Sequence, residues 1–132
     1  MVFYRGHFVA YFTLSFGELK KEYVKGIKSF SVTRTMRIES YPAIKIGRLA
    51  VQKEWQGKTI GRSLLKYAVA YGLETRVKGG LRLIIVEAEP ESQGFYEKFG
   101  FILVNQTRKE RKRAHKTMFF DLGSLDDVVK ED

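Results

Sequence analysis

The chain has no cysteine among its 132 residues, which rules out disulfides, thiolate metal sites and a cysteine nucleophile. No metal site is expected. Proline is scarce, with only Pro42 and Pro90, so long elements go largely uninterrupted. No apolar run approaches the roughly 20 residues of a membrane span, and the first residues carry no signal-peptide pattern. A cytoplasmic protein that does not enter the membrane is therefore expected. Acidic residues are also in short supply: 15 Asp and Glu face 24 Lys and Arg, a net charge of +9. Such an excess favours a polyanionic partner such as RNA, DNA or an acidic protein, although it also serves solubility alone. A hydrophobic share of 44%, with 14% aromatics, argues against disorder. Residues 1–132 are long enough for one domain with a real core.

The stretch from Gly47 to Leu65, G-R-L-A-V-Q-K-E-W-Q-G-K-T-I-G-R-S-L-L, organises the rest. Leu49-Ala50-Val51 reads as the end of a strand, Gln56 to Gly61 as a glycine-bearing turn, and the residues after that turn as an amphipathic helix. A helix start presents unpaired N–H groups and a positive dipole end, so it suits an anion, and Lys58 and Arg62 add charge there. An ordinary strand-to-helix connection fits equally well.

Along the chain, Val2 to Phe16 is rich in β-branched and aromatic residues and reads as a hairpin turning near Gly6. His7, at that turn, reads as an exposed turn residue. Glu18 to Tyr41 is a mixed, basic connection with a helical turn, closed by Pro42. Ala43 to Val51 is the next strand. Ile60, Leu64, Leu65, Ala68, Val69 and Leu73 share one helical face, predicting a helix over Ile60 to Val77 that Gly79-Gly80 stops. Leu81 to Val86 is apolar enough for a strand buried on both faces. Pro90 to Phe99 reads as a short helix ended by Gly100. Phe101 to Val104 and Thr117 to Leu122 are two further strands, and the acidic tail from Asp126 to Asp132 is expected to fray. The order is β-β-β-α-β-α-β-β, an α/β (α+β) arrangement. The strands before and after the long helix are parallel neighbours joined by a right-handed crossover. Ligands in such sheets lie beyond the strand carboxyl ends, where Gln56 to Gly61 sits.

Two motifs in this order resemble the GNAT superfamily of N-acetyltransferases. L-A-V followed by W-Q-G-K-T-I-G-R-S-L-L resembles its acetyl-CoA motif, Gln/Arg-x-x-Gly-x-Gly/Ala. G-F-Y-E-K-F-G-F, from Gly94 to Phe101, resembles its short helix and following strand. Together with G-R-L-A-V they look most like the toxin branch, whose members acetylate the amine of aminoacyl-tRNA and pair with an antitoxin protein. The resemblance implies a mixed, mostly antiparallel sheet with a central parallel pair and helices on its faces. It also implies acetyl-CoA as acetyl donor, with tRNA and an antitoxin as partners. The pantetheine arm would pair with Leu49, Ala50 and Val51. The pyrophosphate would sit on the amides of Gly57, Lys58, Thr59, Ile60, Gly61 and Arg62, with Gln56 opening the turn. Thr59 stands where the motif has glycine. The family's usual N-terminal strand and helices are not seen before the hairpin. That leaves an open acceptor site, a shortened form, or a homodimer whose second subunit completes the wall.

Acetyl transfer needs a neutral amine, donors for the developing oxyanion and a proton for the leaving thiolate. By the resemblance Tyr96 supplies that proton; the alternative is a packing role beside Phe95 and Phe99. No general base declares itself, with Glu39, Glu54 and Glu87 as candidates. Arg48 faces the acceptor by the same resemblance, or is a plain strand residue. Arg108, Lys109, Arg111, Lys112, Arg113 and Lys116 form the densest basic cluster, with Glu110 the lone acid. Arg111, Lys112 and Arg113 are the expected phosphate contacts. Acetylation of small amines or peptides, and a degenerate fold that only binds RNA or protein, remain the alternatives.

Overall fold

The computed structural model describes residues 2–4, 7–27, 39–51 and 60–125. Six strands form one sheet in the order β1-β2-β3-β4-β6-β5. They are β1 Val2–Tyr4, β2 His7–Lys20, β3 Ser40–Val51, β4 Leu83–Ala88, β5 Ile102–Leu103 and β6 Lys116–Asp121. β3 and β4 are the parallel pair, and every other neighbouring pair is antiparallel. The helix joining them, α1 Ile60–Gly79, is the expected crossover. The first two strands form the expected hairpin: Tyr4 faces His7, which therefore opens a strand instead of sitting in the turn.

Several boundaries move relative to the sequence reading: the strand expected over Leu81 to Val86 is β4 at Leu83–Ala88, and the helix expected to Val77 reaches Gly79. β2 runs on to Lys20, and β3 begins at Ser40, so both ends of the presumed connection are strand. Pro42 thus lies inside β3. Its carbonyl accepts the Arg82 N–H at 3.0 Å and starts the β3–β4 seam, a role open to a residue that lacks only the donor. Of the connection itself, a 3-10 turn at Lys21–Tyr23 is described; residues 28–38 and the acidic tail lie outside the described residues.

Both sheet faces are covered, as the apolar run of β4 requires. Ile44, Ile46, Ile84, Val86 and Met118 face α1, which presents Leu65 and Ala68. Leu83, Ile85 and Phe119 face the other way, onto Leu19, Val24 and Val104. Each fully buried Leu, Ile or Val contributes about 1.5–3 kcal/mol, so β4 and the inner face of α1 carry much of the stability.

α1 ends at Gly79 with Gly80 at φ 71°. Pro90–Ser92 forms a 3-10 turn that leads into α2, Gln93–Phe99. Gly100 closes α2 at φ 123°, its N–H reaching the Tyr96 and Glu97 carbonyls at 3.2 and 3.0 Å. A Cβ there would sit 3.1 Å from the Phe120 ring, so glycine is required on two counts. Within the basic loop lies a further helical turn, α3 Arg108–Arg111, capped by the Thr107 side chain, which accepts the Glu110 N–H at 3.2 Å. Among the described residues no helix is long and apolar enough to cross a membrane.

Candidate active site

The sheet divides along its middle. β3 and β4 pair only over Ala43–Ile46 and Leu83–Val86. Beyond that point β3 stays with β2 as far as Val51, while β4 stays with β6 as far as Ala88. The two strands therefore part at Gly47 and Glu87. A bulge in β3 accompanies the parting: Thr13 pairs with Arg48 and Leu14 with Ile46, which leaves Gly47 as the extra residue. A Cβ on Gly47 would stand 2.7 Å from Thr13 Oγ1, so any side chain there would have to push the Thr13 hydroxyl aside.

A cavity of about 440 Å³ opens in this fork. Ile46, Gly47 and Leu49 line it from β3, with Tyr11 behind them on β2. Val86 and Glu87 line the β4 side, and Glu89, Ser92, Tyr96 and His115 close the end. These last four converge because β4, the turn after it and α2 follow one another directly. His115 joins them because Lys116, the next residue, pairs with Ala88 at the last rung of the β4–β6 ladder.

Tyr96 is 8% exposed, and its ring stacks edge-on with Phe95 at 5.2 Å and Phe101 at 5.4 Å. It thus has the packing role raised by the sequence and also borders the cavity, with Phe101 taking the place expected of Phe99. Burial, and then the negative charge of Glu89, push its phenol above the ordinary value of 10.0. The hydroxyl is therefore a full proton source throughout the neutral range.

Glu87 is held differently. Burial alone would raise its carboxyl, but hydrogen bonds from Lys45 and Arg113, reinforced by their charges, bring it below the ordinary value. Lys45 Nζ and Arg113 Nη2 each lie 3.0 Å from Glu87 Oε1. A carboxylate neutralised from two sides is a weak proton acceptor. Arg113 continues the chain inward: its Nη1 donates to Glu110 Oε1 at 2.9 Å and to Thr117 Oγ1 at 3.2 Å. Glu110 is 2% exposed and also accepts from Thr117 Oγ1 at 2.7 Å and Thr117 N at 3.2 Å. The lone acid of the basic run is thus a buried hub, and Arg113 has internal partners. Arg108, Lys109, Arg111 and Lys112 stay exposed around it. At the cavity end, the Glu91 carboxyl is lowered by its own backbone N–H, then by a hydrogen bond with Glu89, and last by the charge of His115.

A second cleft of about 190 Å³ lies between the start of α1 and α2, lined by Arg62, Phe95, Lys98 and Phe99. Ile60 enters the core beside Ala10 and Leu64, and the Phe95 ring lies against Gly61. Ala50 and Val51 pair through their backbones with Tyr11 and Ala10, and Arg48 with Thr13. Gln56, Gly57, Lys58 and Thr59 lie outside the described residues, as do Glu54 and Trp55. Glu39 is exposed and is not among the residues lining the cavity. The sequence reading missed Tyr11, Glu89, Ser92 and His115 as cavity residues, and Gly47 as a bulge. A glycine within a strand pattern is the signal that would have found the bulge. His115 gave none, because its place depends on the β4–β6 register.

The sequence profile of the acetyltransferase (GNAT) domain matches residues 22–122. The chain belongs to the GNAT family. A tRNA-acetylating toxin of Mycobacterium tuberculosis is 32% identical over 97 residues, which make up 73% of this chain and 55% of the toxin. This GNAT chain therefore spans little more than half the length of that relative. AtaT in complex with acetyl-methionyl-tRNAfMet superposes with a TM-score of 0.76 at 20% identity, over 92% of this chain and 66% of AtaT. A mutant of AtaT bound to the C-terminus of the antitoxin AtaR and acetyl-CoA gives 0.66 at 20% identity, over 92% of this chain and 63% of that one. At such identities the likeness is one of fold.

Proposed function

We propose that the chain transfers the acetyl group of acetyl-CoA to a primary amine, the α-amine of aminoacyl-tRNA, as a toxin of the GNAT family. The observation that carries this is the fork cavity with Tyr96 at its end. From Gly47 to Val51 the edge of β3 turned away from β2 has no strand partner among the described residues, so it can pair with an extended arm. Arg62 and Lys98 provide cations beside Phe95 and Phe99 for a phosphorylated, aromatic group. These features fit acetyl-CoA, which when bound supplies an acetyl group already activated as a thioester.

The residues of this chain then divide the work. The β3 edge and the start of α1, from Ile60 to Arg62, orient the donor, and Gln56, Gly57, Lys58 and Thr59 are the sequence's further candidates for its pyrophosphate. Leu49, Ala50 and Val51 form the pairing edge. Tyr96 holds a proton on its phenol oxygen for the departing sulfur, and burial ensures that it is still there at neutral pH. On the acceptor side, Arg48 and the exposed Arg111 and Lys112 draw in the phosphates, with Arg113 fixing the turn that carries the latter two. The α-amine of an aminoacyl ester is substantially neutral at pH 7 to 8, unlike a lysine of pKa about 10.4, so a site without a strong carboxylate base suits it. The relative named for tRNA acetylation and the antitoxin-bound neighbour support the same substrate and an antitoxin segment as partner.

Isothermal titration with acetyl-CoA tests the donor, and an acceptor screen of charged tRNA against amino-acid esters and polyamines tests the acceptor. No binding at millimolar acetyl-CoA overturns the enzyme. A second reading, an RNA-binding module on a degenerate fold, is favoured by the exposed cations of α3. It requires tRNA binding indifferent to acetyl-CoA, and turnover abolished by Tyr96→Phe excludes it.

A further inference from the structure

Tyr96 accounts for one proton of the reaction, the one the sulfur needs. The ammonium form of the acceptor must lose another, and the cavity offers three groups besides Tyr11 and Tyr96 that could take it. Glu87 is neutralised by Lys45 and Arg113 at 3.0 Å each. Glu89 is a carboxylate, a weaker base than the amine it would have to deprotonate. His115 is the third, and imidazole is the side chain best suited to taking and giving a proton near neutrality. It lies at the end of the fork with Glu89, Ser92 and Tyr96, held there by the Lys116–Ala88 rung, and its exposed ring can return a proton to water.

We propose that His115 is the proton acceptor for the incoming amine. This rests on the acetyltransferase reading and names a residue for its unassigned step. An imidazole nitrogen of His115 takes one proton from the acceptor's ammonium, directly or through one water. The freed nitrogen lone pair forms the C–N bond as the C–S bond breaks. Tyr96 gives its proton to the departing sulfur and recovers one from the acylated nitrogen. The proton on His115 passes to solvent, so each amide formed releases one proton. The charged groups around the ring are Glu87 and Glu89 from β4 and its end, Glu91 from the 3-10 turn and Tyr96 from α2. Lys116 and Arg113 flank it on its own segment.

The test is the pH profile of kcat/KM for acetylation of an aminoacyl-tRNA by wild type, His115→Gln and His115→Asn, with acetyl-CoA affinity measured alongside. The wild type should show an acidic limb in the imidazole range. Both variants should bind acetyl-CoA as the wild type does and lose about 10²-fold in turnover at pH 7. Their acidic limb should shift up to the acceptor's own amine, and added imidazole should restore part of the rate. Variants that keep the wild-type limb and rate overturn the proposal, as do variants whose loss lies wholly in acetyl-CoA affinity. A wild-type protein that binds acetyl-CoA yet acetylates no amine overturns the enzyme reading itself and takes this one with it.

Discussion

Tyr96 packs edge-on between Phe95 and Phe101 while bordering the fork cavity, so removing its hydroxyl should leave the packing intact. Tyr96→Phe is expected to lower turnover by about 10²-fold or more with acetyl-CoA and tRNA affinities nearly unchanged, as steady-state kinetics beside titration would show. Because burial and Glu89 raise the phenol above 10.0, any alkaline fall in rate due to its ionisation should lie above pH 10. Glu87 gives the opposite expectation. It already stands between two cations, so Glu87→Gln should change turnover only a few-fold, whereas a general base would cost orders of magnitude. Its two half-exposed ion pairs are worth at most about 1 kcal/mol each. Since its folded pKa is depressed, that small contribution is present above the unfolded value of about 4.5 and is lost as pH falls through the folded one. Acid melts of wild type and variant should differ at pH 6 and converge below pH 4.

At the scale of elements, strand and helix identities were largely legible, because alternation and the Ile60–Leu73 stripe reflect burial that each segment achieves on one face. The register between elements was not. Gly47 became a bulge only through its pairing with β2, whose Thr13 lies far away in sequence. Gly47→Ala should therefore cost about 1–3 kcal/mol through the Thr13 Oγ1 clash, and Thr13→Ala should restore much of it, a coupling that a double-mutant cycle of denaturation midpoints would reveal. Glu110 was illegible for a similar reason. One acid in a basic run reads as solvated, yet Thr117 and Arg113 close over it. Glu110→Ala leaves the Thr117 donors unsatisfied while Arg113 keeps Glu87, and should destabilise by roughly 1–3 kcal/mol, more than the ~1 kcal/mol of losing the Thr107 cap. Thermal melts of the two variants would rank them. Of the residues named from the sequence, Leu49 and Tyr96 line the fork cavity and Arg62 the second cleft, while Gln56 to Thr59 lie outside the described residues.

For the whole molecule, the net charge of +9 acquires a direction from α3, whose exposed cations stand on a turn fixed by Glu110. Arg111→Gln with Lys112→Gln should weaken tRNA binding and flatten the dependence of log K on log salt by up to about one unit per lost phosphate contact. Binding measured from about 50 to 300 mM salt would show it. The same change should leave acetyl-CoA affinity unaltered, since neither residue lines the fork or the Arg62 cleft.

The seam between β3 and β4 has a mechanical consequence. Among the described residues the strand ladder between the half-sheet β1-β2-β3 and the half-sheet β4-β6-β5 has four rungs, Ala43–Ile46 against Leu83–Val86, with the Pro42–Arg82 hydrogen bond and the Lys45–Glu87 ion pair at its two ends and α1 spanning it. A molecule lodged in the fork touches both halves and acts as a fifth rung. Its binding energy should therefore appear as a strut: about 2.7 kcal/mol at roughly a hundred times Kd, distributed over both half-sheets. Amide hydrogen exchange would record it as slowed exchange on β2 and on β6 together, strands that are not neighbours in the sheet.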